Sequence, residues 1–193
     1  MISKSLRKVA HAAVGLFLVA EGVALAAKSP HQFRAPSDPG IRVISIESSG
    51  GMRPESTRYE VFGDGRLVAL AIPRNATGAP RLLFAEQLPL GELDALVEDL
   101  AGAGLMEYDE AAMNRRLEAA PLPTDQTGVH ITLQLVSYDD LKPNGNGIVA
   151  KTFWLYAARV RAKQFPEIPE LAAINRLLDH LAQIHRAHRV DAR

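Results

Sequence analysis

Between Ile41 and Ile72 the apolar and polar positions change rhythm three times, and the rest of the chain is arranged around that stretch. Residues Ile41 to Ser48 carry apolar side chains on both faces of an extended run, Ile41 and Val43 against Ile44 and Ile46. Burial on both faces predicts an interior strand. Two alternating runs come next, around Asp64-Gly65, a dipeptide that favours a tight hairpin because both central residues need positive φ. A two-residue loop there would pair Gly63 with Arg66, Val61 with Val68 and Tyr59 with Leu70. Tyr59, Val61, Val68 and Leu70 would then share an apolar face, with Arg58, Glu60, Phe62, Leu67 and Ala69 opposite. The mixed second face predicts a sheet covered on one side only.

Downstream the period switches from two to 3.6 and back. Arg81 to Ala85 predicts a short strand, and Leu93, Leu96, Val97 and Leu100 place one apolar stripe on a helix over 90–104. Gly91 stands at its start, and Gly102 or Gly104 can end it in left-handed geometry. Residues 107–126 are charged and then proline-rich. They predict an excursion from the core, with a short surface helix over 109–120 capped by Asp109. Val129, Ile131, Leu133 and Leu135 alternate with polar neighbours in a clear strand, and 148–156 is its partner across the turn marked by Asn144-Gly145 and Asn146-Gly147. Pro169 and Glu170 open a last helix whose stripe is Leu171, Ile174, Leu178 and Leu181. The order β-β-β-β-α-β-β-α with short links predicts an α+β domain: an antiparallel sheet of about five to six strands under two covering helices, over 41–188.

The first residues have a different character. Lys4, Arg7 and Lys8 precede the apolar run Ala12 to Ala20, and Ala24-Leu25-Ala26 supplies a small-x-small cleavage pattern. That predicts a signal peptide over 1–26, followed by a flexible leader over 27–40 rich in Pro, Ser and charge, and hence a periplasmic or secreted protein. The apolar run is too short for a bilayer that needs about twenty residues, so no stable membrane insertion is expected after cleavage.

Composition narrows the chemistry. The 22 basic and 22 acidic side chains balance, which leaves no basic excess for nucleic acid. No cysteine is present, which removes disulfides, thiol catalysis and cysteine-bound zinc. His180, His185 and His188 on the last helix lack a third ligand in any motif. Were Asp140 to open a calcium loop, Lys142 and Lys151 would occupy ligand positions, so that loop fails. Neither a nucleophile elbow nor a phosphate-binding glycine loop occurs. His130 and the carboxylates Glu47, Glu60 and Asp64 are acid-base candidates without a motif to unite them. No cofactor is expected, and the missing motifs weigh against catalysis.

Ser48-Ser49-Gly50-Gly51 is expected to leave the interior strand as a loop ending at Pro54. The glycine pair is explained by a sharp reversal, and a loop on a rigid scaffold also offers a contact surface. Ser48, Ser49, Gly50, Gly51, Met52 and Arg53 are therefore the candidate partner-binding residues, with Met52 adaptable and Arg53 carrying a forked donor. A strand running into Ser49-Gly50-Gly51, Leu93 and Leu96 on a helix, a strand and hairpin, and a leucine-bearing last helix resemble in layout the emfourin-type inhibitors of thermolysin-like metalloproteases, among small exported bacterial domains mostly of unknown function. The resemblance implies an exported, non-catalytic protein-binding domain and a peptidase as partner. The alternative is a small cell-envelope hydrolase with a site assembled from scattered residues.

Overall fold

The structure, a computed structural model, describes residues 31–50, 54–74, 78–89, 91–121, 124 and 126–191. The expected signal peptide and the leader up to residue 30 lie outside them, as do Gly51, Met52 and Arg53. The fold is α+β. Strands β2 (Arg42–Gly50), β3 (Glu55–Phe62), β4 (Arg66–Pro73), β5 (Arg81–Gln87), β6 (Thr127–Leu135) and β8 (Val149–Tyr156) form an antiparallel sheet in the order β5-β4-β3-β2-β6-β8. β1 (Phe33–Arg34) and β7 (Ser137–Tyr138) make a second, two-stranded sheet. The helices are α1 (Glu92–Gly102), α2 (Glu110–Leu117), α3 (Ala158–Gln164) and α4 (Pro169–Asp191), with a 3-10 turn at Leu105–Glu107.

The interior position expected for the first long strand holds: β2 pairs with β3 on one edge and β6 on the other. Its expected end does not. Ser48, Ser49 and Gly50 continue the strand, opposite Val129, Gly128 and Thr127 of β6, rather than opening a loop. Gly50 is what allows this, because its φ is +131° and a Cβ there would lie 3.0 Å from the Gln126 carbonyl oxygen.

The hairpin of β3 and β4 departs from expectation by one residue. Val61 faces Leu67 and Tyr59 faces Ala69, so the loop is Gly63-Asp64-Gly65, closed by Gly65 N–H to the Phe62 carbonyl at 2.9 Å. Gly65 takes the left-handed residue of this three-residue connection at φ +84°. A slip of one residue moves every side chain of β4 to the other face. Leu67 and Ala69 are thus buried with Val61, whereas Val68 and Leu70, expected in the core, lie half-exposed on the opposite face.

All four helices pack against the face that carries Ile44, Ile46, Val61, Leu67, Ile131, Leu133 and Phe153, in one continuous core. α1 and α4 supply the expected stripes. α2 is capped as expected, with the Asp109 carboxylate accepting from Ala112 N–H at 3.0 Å, but it is no excursion. Met113 and Leu117 are buried, and Tyr108 just before it stacks on Phe153 with ring centroids 4.2 Å apart. Periodicity does not predict α3, because the face it buries is made of Ala158 and Arg161 and carries no apolar period. Residues 31–40 of the expected leader are also part of the body. β1 pairs with β7, the Pro36 side chain is buried, and Ile41 N–H reaches the Asp38 carbonyl at 3.1 Å.

Candidate functional site

β2 brings the candidate residues to one end of the sheet and splits them between its faces. Ser48 follows Ile44 and Ile46 on the helix side and lines a cavity of about 240 Å³ with Tyr59, Val129, Arg159 and Leu178. Ser49 follows Glu47 onto the uncovered side, opposite Gly128. Over Gly128 lies the ring of Trp154, so close that a Cβ on residue 128 would meet it at 2.8 Å. Gly50 is the last described residue before the tip, and Pro54 the first after it.

The uncovered face next to this end is a built polar surface. The Arg58 guanidinium donates twice to one oxygen of Glu47, at 2.9 and 2.6 Å, while Ser56 Oγ–H donates to the other at 2.8 Å. Arg42 donates to Glu60 at 2.8 Å, and Arg58 lies 4.0 Å from the same carboxylate. Burial alone would raise the Glu47 carboxyl, but Arg58 and Ser56 outweigh it and hold the group below its ordinary range. Around this chain stand half-exposed Val68, Leu70 and Ile72, with Leu82 at 58% and Trp154 at 37% exposure.

Each of the expected acid-base candidates has its own place in this arrangement. Glu47 and Glu60 are each engaged by arginine, and Asp64 accepts from Arg66 N–H in the hairpin turn at 3.0 Å. His130 faces the uncovered side beside Glu47 and Trp154, so it and Ser48 point to opposite sides of the sheet. Among the described residues, neither Ser48 nor Ser49 has a hydrogen bond to a histidine or a carboxylate.

The three histidines of α4 do not converge either. His180 Nε2 is 2.5 Å from Glu92 of α1, His185 Nδ1 is 2.7 Å from the Tyr59 hydroxyl, and His188 Nε2 is 2.5 Å from Glu86 of β5. Each serves its own contact between helix and neighbour. A different trio does come together: His31, Glu107 and Asp139 place one ligand atom each within 4.8 Å of one another. The sequence concealed it, because the residues are far apart in the chain and lie in a leader, a 3-10 turn and a loop. Its geometry is explained by structure. Asp139 accepts from Gln32 N–H and pairs with His31 Nδ1, both at 2.7 Å, and the His31 ring stacks on Tyr138. These bonds tie β1 to β7, and the His31 contact, together with the backbone bond, holds the Asp139 carboxyl below its ordinary range.

Among the described residues no helix is long and apolar enough to cross a membrane. No protein-family model matches the chain, and no curated protein matches it in sequence.

Proposed function

We propose that the domain is exported and non-catalytic, and that it acts by binding a peptidase through the end of β2 and the 48–54 segment. The observation that carries this reading is the support beneath the segment. β2 is hydrogen-bonded on both edges, to β3 as far as Ser48 and to β6 as far as Gly50, so the residues next to the segment are held in an interior strand of the sheet. A base held on both edges is not reorganised on binding, which is what preorganisation contributes to affinity. Ser49 and the locked Arg58–Glu47 pair extend the surface onto the uncovered face, where Trp154 supplies an aromatic anchor of the type enriched in interfaces. The sequestered carboxylates, and a histidine on the wrong side of the sheet for Ser48, support a binding role over a hydrolytic one.

The test is titration of a thermolysin-like metalloprotease with the purified mature chain, following peptide hydrolysis and complex formation by gel filtration. A saturable loss of protease activity is expected. It should weaken by at least about tenfold in a Gly51→Trp, Arg53→Glu variant whose circular dichroism is unchanged, the effect of losing one anchor. Equal inhibition by wild type and variant would remove the segment from the interface. Absence of any complex would overturn the peptidase, and turnover of an ester or peptide by the chain itself would make it a hydrolase.

A further inference from the structure

Arg161, the side chain that hid α3 from the sequence, is only 3% exposed. Its Nη1 donates to the carbonyls of Leu117 and Ala120, both at 3.1 Å, and to Gln164 Oε1 at 3.2 Å. Every one of these acceptors is neutral. Among the described residues no carboxylate lies within 4.0 Å of the guanidinium. A buried charge without a counter-charge is costly, and the carbonyls at the end of a helix of two turns provide only a fractional negative charge. A guanidinium has five N–H donors. The three on Nε and Nη2 have no acceptor among the described residues.

The guanidinium borders a cavity of about 520 Å³ between α2, α3 and the outer strand β8, with Leu117, Pro121 and Leu155 giving it apolar walls. β8 is the last strand of the sheet, and Trp154 also lines the cavity. Ala157 N–H bonds the Thr127 carbonyl at 3.1 Å, which makes 127 and 157 a hydrogen-bonded pair of the β6–β8 ladder. Bonding alternates along such a ladder, so the backbone N–H and C=O of Trp154 turn away from β6, at the free edge. The cavity thus combines a cation with no carboxylate partner among the described residues, apolar walls and an edge strand with groups left to pair.

We propose that this cavity binds a carboxylate carried on an apolar body, with the anion on Arg161 and the body against Leu117, Pro121 and Leu155. A forked guanidinium can hold a carboxylate through two parallel N–H···O bonds. Two sources share this chemistry: a free organic acid, and the C-terminus of an extended peptide that adds to β8 as a strand.

Trp154 lines the cavity, but its indole lies over Gly128 on the uncovered face, so binding is read by isothermal titration calorimetry. The protein is titrated with 3-phenylpropionate, with a leucine-ended tripeptide bearing a free carboxylate, and with the amide of each. The acids should give a saturable heat of binding, and the amides should bind about tenfold or more weakly for want of the charge-assisted pair. A tripeptide tighter than the free acid identifies a chain terminus as the ligand, and equal affinities identify a small acid. Arg161→Gln should abolish the preference for acid over amide. Because that change removes bonds to α2, Ala120→Phe serves as a second variant that fills the cavity and leaves the guanidinium in place, and it should abolish binding with circular dichroism unchanged. Equal affinity for acid and amide, no saturable heat of binding, or binding retained in folded Ala120→Phe overturns the proposal.

Discussion

His185 and Tyr59 meet across the boundary between α4 and the sheet, 2.7 Å apart, with the edge of Phe84 against the imidazole at a centroid distance of 5.6 Å. Burial, reinforced by Arg189 and His188, pushes the imidazole pKa below its ordinary 6.5, so the folded protein prefers the neutral ring. The unfolded chain therefore binds the proton more readily. The stability this residue contributes is whole above the unfolded value and is lost as pH falls below it. Glu47 has the same sign further down, since its carboxyl is held low and its contribution goes only as pH falls through its folded value. Urea unfolding at pH 7.5 and pH 5.5 should show a loss of stability in the wild type and a smaller loss in His185→Gln. An identical loss in both proteins would mean that His185 is not desolvated as described. None of this was legible from spacing. Spacing shows the three histidines of α4 only as an incomplete ligand set, and the packing of α4 gives each its own partner. Of the candidate partner-binding residues, the sequence placed Ser48, Ser49 and Gly50 at the right end of the right strand. It missed that the strand continues through them, because nothing local announces that Gly50 can bring β2 close enough to β6 to pair.

At the scale of elements, periodicity was informative wherever burial fell on one side. The six long strands, α1 and the Leu171–Leu181 stripe of α4 were all legible as elements from their apolar side chains. The hairpin shows where that logic stops. Asp-Gly favours a two-residue loop, but the three-residue Gly63-Asp64-Gly65 connection places Leu67 rather than Val68 beside Val61, and both registers offer an apolar face. The two registers differ sharply under truncation. Leu67→Ala should cost about 2–5 kcal/mol, as for a fully buried leucine, and Leu70→Ala under about 1 kcal/mol, measured by denaturant unfolding. The reverse order would restore the two-residue loop. Segments whose buried face is polar or short were not legible. α3 buries an arginine, and β1 becomes a strand only because β7, distant in sequence, is there to pair with it.

Among the described residues, the six-stranded sheet carries the helices on one side. The other side is not idle surface: an arginine–glutamate chain runs across β2 and β3, flanked by half-exposed aliphatic residues on β4 and by Trp154 at the far edge. One-sided cover was predictable from the mixed face of the hairpin, although the slip of register changed which residues compose it. With helices filling the helical side, the surface left for a partner is the uncovered face and the end of β2. The carboxylate cavity lies between α2, α3 and β8, with β6 between it and β2, so it can be tested separately. The most direct measurement of the central claim is amide chemical-shift mapping of the isotopically labelled chain on binding the metalloprotease. Perturbation should concentrate on the amides of Ser48, Ser49, Gly50 and Gly51 and on Gly128 beside them, with the outer surfaces of α1 and α4 unchanged. Shifts confined to α1 and α4, with positions 48–54 unmoved, would contradict it.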